Sequence, residues 1–175
     1  MNDFLEILKY TIPSLIVFAT AYYIILRFMK NEEDKRRFEA HQGSRKLVTP
    51  IRLQAYERIT LFLERLSPET QIRNLSHPTM KAHELRNDMV NLIKAEFEHN
   101  LVQQVYMSVE AWQIVKSAQE NTIKLINECA KDIKPEAPAL ELGKEIIERA
   151  FAMEQAPNQV ALDFIKKEVS RLFNY

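Results

Sequence analysis

Seventeen consecutive residues without a formal charge, Tyr10 to Leu26, constrain this chain more than any other feature. As a helix they would extend about 26 Å at 1.5 Å per residue. That approaches the roughly 30 Å hydrocarbon core of a bilayer once the flanking Lys9 and Arg27 reach outward. A cleaved secretory leader competes, because Ala19-Thr20-Ala21 offers a small-x-small site. However, Asp3 and Glu6 stand where a leader carries basic residues, and cleavage would leave Tyr22 to Leu26 as an apolar stub. A buried core helix is the third reading. The sequence predicts an uncleaved transmembrane anchor at residues 1–30, touching lipid through residues 10–26.

Orientation follows from basic residues, which are retained on the cytoplasmic side. Arg27, Lys30, Lys35, Arg36, Arg37, Arg45 and Lys46 follow the run, whereas only Lys9 precedes it. The expectation is a single-pass protein of the inner (cytoplasmic) membrane, N-terminus out and C-terminal domain cytoplasmic. Residues 31–48 read as a basic juxtamembrane segment and linker. Glu32, Glu33 and Asp34 dilute its attraction to anionic lipid, which makes it a stop-transfer flank first. No pair of small residues four apart occurs within the run, so any oligomerisation is expected of the soluble part.

Beyond the anchor, glycine decides the fold class. Only Gly43 and Gly143 occur in 175 residues, where average usage would give about a dozen. Tight hairpins and barrels depend on glycine at positive φ, so β architectures are disfavoured. Prolines at 50, 68, 78, 135, 138 and 157 fall between apolar-periodic stretches. The predicted fold is all-α: the anchor, then about five amphipathic helices bundled over residues 49–175. Acidic and basic residues balance at 24 each, which gives no field to attract nucleic acid. The lone Cys129 can form no intrachain disulfide, lies on an apolar stripe and reads as core.

Thr49-Pro50 predicts a helix start, with Leu53, Tyr56, Ile59, Leu63 and Leu66 as its apolar face. Residues 68–78 read as a loop holding at most one short turn, and Thr79 as the next cap. Met89, Ile93, Phe97, Leu101, Val105 and Val109 continue at four-residue spacing, yet a break is expected between His99 and Ser108, since Asn100 and Ser108 are natural caps. After it, Trp112, Val115, Gln119, Thr122, Ile126, Cys129 and Ile133 share a seam. Lys134 to Pro138 is a linker. Helices carrying Ile146, Ile147, Ala150 and Phe151, then Ala161, Phe164, Ile165, Val169, Leu172 and Phe173, complete the chain.

No catalytic motif, cofactor loop or paired cysteine occurs, so no catalytic residue and no cofactor are expected. The one metal-like spacing is Glu96-x-x-His99. Di-metal bundles need two such motifs and two further glutamates, so Glu96 and His99 are weak ligands by themselves. The stretch Glu96 to Trp112 is dense in hydrogen-bonding groups. Glu98, His99, Asn100, Gln103, Gln104 and Tyr106 either stitch the bundle or face a protein partner, which includes a second copy of the chain. Trp112 heads the apolar seam, whereas Tyr106 lies off it.

Val48-Thr49-Pro50-Ile51-Arg52-Leu53-Gln54-Ala55-Tyr56-Glu57-Arg58, Leu61 to Arg65, Glu96 to Leu101, Gln103 to Tyr106 and Trp112 together resemble an uncharacterised family of small membrane-anchored helical proteins of Bacteroidota. The resemblance covers about residues 46–120. It implies a bacterial inner-membrane protein and supplies no activity. The expected role is a non-enzymatic, membrane-tethered helical adaptor or assembly subunit at the cytoplasmic face. The alternative is a metal-binding or catalytic bundle using Glu96, Glu98 and His99.

Overall fold

Stripes of apolar residues at spacings of three and four decide the architecture of the C-terminal part. The computed structural model describes residues 2–173, with side chains described for residues 14–33, 35–36 and 48–173. Its helices are α1 (Asn2–Arg65), α2 (Pro68–Leu75), α3 (Ala82–His99), a 3-10 segment (Leu101–Tyr106), α4 (Val109–Lys131), α5 (Ala139–Ala152) and α6 (Pro157–Phe173). The described chain is all-α, its one β feature being an isolated bridge between Lys81 and Pro138. It divides into two units, Met1–Thr49 and Pro50–Tyr175.

In the first unit every described side chain from Ser14 to Asn31 is exposed, the aliphatic ones included. Among the described residues no helix is long and apolar enough to cross a membrane. Tyr10 to Pro13, the start of the uncharged run, lie outside the described side chains, as do residues 37–47 of the expected linker.

The helix start expected at Pro50 is not found, because α1 runs through residues 31–48 without a break and Thr49 is no N-cap. Pro50 therefore sits inside a helix. It removes one N–H and crowds the carbonyl four residues earlier, a cost of about 3 kcal/mol that ordinarily kinks a helix. The boundary between the two units falls at this proline.

In the second unit Ala55, Tyr56, Ile59, Phe62 and Leu63 of α1, with Leu66 in the turn just after it, are buried together with Leu85, Met89 and Ile93 of α3, Val115, Ile126 and Cys129 of α4, Leu142 and Ile146 of α5, and Leu162 and Ile165 of α6. Cys129 is fully buried, and burial pushes its thiol pKa up. Its core placement agrees with its position on the stripe. Phe151 and Leu172, expected on apolar faces, are exposed.

Two further boundaries differ from expectation. The stretch 68–78 is no loop, since Pro68 at a helical N1 position opens α2, whose Ile72 and Leu75 pack on the core. Eight residues are too few for a helix to persist alone, so tertiary packing holds it. Gly143 of α5 is the close-approach point, because a Cβ there would stand 3.1 Å from Ile72 Cγ2. Next, α3 begins at Ala82 and not behind Thr79. Lys81 stays extended because its neighbours are tied to the α4–α5 linker: Ala82 N–H donates to the Ala137 carbonyl at 2.8 Å and Ala139 N–H to the Met80 carbonyl at 2.9 Å. Glu84 then closes the helix start by accepting from Lys81 N–H at 2.8 Å.

Candidate functional site at the tip of the α3–α4 hairpin

α3 and α4 form a hairpin whose turn is the expected break between His99 and Ser108. Asn100 ends α3: its N–H donates to the Phe97 carbonyl at 3.0 Å, and its side-chain Nδ2 donates to the Glu96 carbonyl at 2.8 Å. Ser108 starts α4, its Oγ accepting from Ala111 N–H at 3.0 Å. Between the two caps the 3-10 segment buries none of its six residues. Val102 is 65% exposed, Val105 75%, and Val109 at the head of α4 74%. Three valines and the 39% exposed Leu101 thus stand in water within nine residues of sequence.

This turn is pinned from two sides within the second unit. From α1, Arg52 Nε donates to the Tyr106 carbonyl at 3.0 Å. From α6, Glu168 accepts at one carboxylate oxygen from Ser108 Oγ, 3.0 Å away, and at the other from the Tyr56 hydroxyl, 2.5 Å away. The same serine oxygen therefore caps α4 and donates to Glu168. Tyr56 is 2% exposed. Burial first, then its hydrogen bond to Glu168 and that carboxylate's negative charge, push the phenol from its ordinary 10 up to about 12, with Arg52 acting in the opposite direction.

Behind the turn an aromatic row supports the α3 end. Phe97 stacks on Trp112 with ring centroids 5.3 Å apart and an interplanar angle of 21°, and it meets Phe62 of α1 at 6.0 Å. Trp112 is half-buried, so it closes the edge of the core instead of filling its centre.

A family model, that of DUF7935, a family of unknown function, matches residues 2–172. The chain belongs to this family. The DUF7935 match takes in the apolar N-terminal run and the last two helices, both beyond the stretch 46–120 that carried the sequence resemblance. No curated protein and no solved structure matches the chain.

In this DUF7935 chain the residues singled out from sequence divide. Glu98 and His99 are exposed at the end of α3, Gln104 is exposed with its amide donating to the Leu101 carbonyl at 3.0 Å, and Gln103 and Tyr106 are half-buried. Asn100 is buried and its amide is spent on the helix end, so it offers a partner nothing; a cap faces inward once the chain turns beside it. Glu96 pairs with Arg65 of α1 at 3.2 Å, and among the described residues no group of three or more His, Cys, Asp or Glu is placed to hold a metal ion.

Sequence reading missed the valines and the knot beneath them. Val105 and Val109 fall on a four-residue row that reads as a continuation of the α3 stripe. An α-helix has 3.6 residues per turn, so such a row drifts off the buried face, and the break at Asn100 removes the rest. Glu168 carried a legible signal, since it interrupts the apolar run Phe164, Ile165, Val169 of α6. Arg52 carried none, because its partner is a backbone carbonyl 54 residues away.

Proposed function

We propose that this chain is a non-enzymatic, membrane-tethered helical adaptor or assembly subunit. An anchor around residues 10–26 holds it in a bacterial inner membrane with its C-terminal domain on the cytoplasmic side, and the hairpin tip docks a protein partner. The anchor reading is supported by apolar side chains exposed all round one helix. Leu15, Ile16, Val17 and Phe18 occupy consecutive positions covering every face, at 61–70% exposure. Water disfavours such a cylinder, whereas lipid does not. The polar groups are placed to suit: the Thr20 hydroxyl donates to the Ile16 carbonyl inside the helix, and Arg27 lies beside Tyr23, its Nε 3.3 Å from the phenol oxygen. An arginine and a tyrosine paired at the end of an apolar run are the usual furniture of a membrane–water boundary. The inward orientation rests on the seven basic residues after the run, and the bacterial setting on the resemblance over residues 46–120.

The adaptor reading is carried by the tip, where exposed valines sit on a turn pinned by Arg52 and Glu168. Exposed apolar side chains on one turn, with Glu98, His99 and Gln104 exposed in the same segment, match the mixed apolar and polar composition of protein interfaces. A photo-crosslinking amino acid at Val105 in native membranes tests this, with Lys116, an exposed position on the middle of α4, as control. The expected result is a discrete adduct from Val105 only. Adducts common to both positions, or none at Val105, would overturn the reading, and an adduct of doubled chain mass would make the partner a second copy.

A further inference from the structure

We infer that a cleft between the start of α3 and the end of α4, distinct from the hairpin tip, binds a small organic carboxylate about the size of one aromatic ring. The cleft measures about 410 Å³, and an apolar cavity of about 150 Å³ already accommodates a benzene ring. Arg86 and Asn87 of α3 and Asn127 and Lys131 of α4 supply its polar lining, and Ala130 and Ile133 part of its apolar wall. Among the described residues no carboxylate lines it. Of the acidic residues nearby in sequence, Asp132 is paired with Arg149, and Glu136 lies 3.8 Å from His83 at 80% exposure, where water screens it.

Arg86 carries the inference. Arg65 and Arg149 meet carboxylates, whereas half-buried Arg86 meets none among the described residues. Its Nε donates to Asn127 Oδ1 at 2.8 Å and its Nη1 to Asn87 Oδ1 at 2.9 Å. Two neutral amides thus fix the guanidinium without cancelling its charge, and arginine keeps that charge at any working pH. Nη2 has no partner among the described residues. It is open to solvent, because the one buried side-chain nitrogen or oxygen left unpaired there is Gln71 Oε1. An oriented, accessible and uncompensated guanidinium is a receptor for an oxyanion. The kind of oxyanion follows from the backbone. At the start of α3 the N–H groups that would ordinarily cradle a phosphate are spent, Ala82 on the Ala137 carbonyl and His83 on the Pro135 carbonyl at 3.2 Å. One fixed guanidinium and one flexible lysine suit the single charge of a carboxylate, and the apolar wall suits a hydrocarbon body behind it.

Equilibrium dialysis of the full-length chain in nonionic detergent against benzoate and benzamide tests the inference, with protein-free micelles subtracted. The two probes are matched in size and differ in charge. Benzoate is expected to bind one per chain and about tenfold more tightly than benzamide, the worth of one charge-assisted hydrogen bond. Arg86→Gln, which keeps a polar side chain and removes the charge, should equalise the two. Lys131→Glu, at an exposed position on the last turn of α4, should weaken benzoate several-fold and leave benzamide unchanged, and it carries the test if Arg86→Gln does not fold. Equal binding of benzoate and benzamide by the unaltered chain, or binding of neither, would overturn the site. Benzoate binding that neither substitution weakens would overturn its placement at Arg86. Inorganic phosphate at the concentration of benzoate should not displace it, and displacement would overturn the carboxylate class. These readouts are independent of the crosslinking at Val105.

Discussion

Leu15 and Leu85 are the same amino acid in two different surroundings. Leu15 is 64% exposed on the first unit's helix, among apolar neighbours that leave no polar face, whereas Leu85 in the second unit is completely buried. The difference lies in patterning, not composition. In α3 the apolar residues return every three or four positions, with Glu84, Asp88, Asn91 and Lys94 on the other side, so one stripe finds a core and the opposite face finds water. From Ser14 to Leu26 there is no opposite face. Periodic apolarity folds a helix onto its own chain, and uniform apolarity, on the anchor reading proposed above, seeks an external apolar phase.

The same substitution in both regions is the sharpest way to break that contrast. Leu85→Ala should cost the folded domain about 2–5 kcal/mol, the range for a large side chain removed from a core, while Leu15→Ala should leave the melting of the domain unchanged. A comparable loss from both, measured by thermal denaturation in detergent, would mean that the N-terminal helix packs on protein and not on lipid. A charge placed in the uniform run should have the next largest effect. Val17→Arg is expected to cost about 3 kcal/mol of insertion and to move the protein into the alkaline carbonate extract of membranes. Full retention in the pellet would defeat the anchor.

Next in size is an alkaline transition in the second unit. Tyr56 titrates near 10 when unfolded and is pushed up to about 12 when folded, so the folded state holds its proton more tightly. The stabilisation is complete below pH 10 and is lost as pH rises from 10 towards 12. The loss amounts to about 2–3 kcal/mol for two units at 1.36 kcal/mol each. Denaturant midpoints of the parent and of Tyr56→Phe across this window should converge as pH rises. Parallel curves would show that folding does not raise the Tyr56 pKa, neither by burial nor through Glu168. Smallest of all, Val105→Asp should change stability by no more than about 0.5 kcal/mol, as for any surface position, yet remove the Val105-centred adduct. A large drop in stability would place Val105 in the core after all.

How much could be read beforehand follows the same line between local and long-range causes. The all-α class, the break at Asn100 and Ser108, and the burial of Val115, Ile126 and Cys129 were legible, because caps and stripes are written within one or two turns. The start of α3 was not. Thr79 is a good cap by type, but the bridge between Lys81 and Pro138 keeps the chain extended two residues longer. α2 escaped notice because a short helix depends on packing, here of Ile72 against Gly143, and that contact joins residues 71 positions apart. At the tip, sequence reading singled out polar residue types and not the exposed valines. Hydrogen-bonding groups such as Asn100 were consumed by the backbone, and the exposed surface fell to valines that sequence reading assigned to a stripe.

The hairpin of α3 and α4 is fastened at both ends: at its base by the Lys81–Pro138 bridge, and at its turn by Arg52 and by Glu168 through Ser108. A turn fastened in this way has given up its conformational freedom before any partner arrives. Ordering a flexible side chain or loop at an interface ordinarily consumes about 0.5–1.5 kcal/mol each, and the valines at the tip are spared most of that. Association there would proceed as rigid-body docking, with affinity set by how long the partner stays and not by how slowly the tip finds its shape.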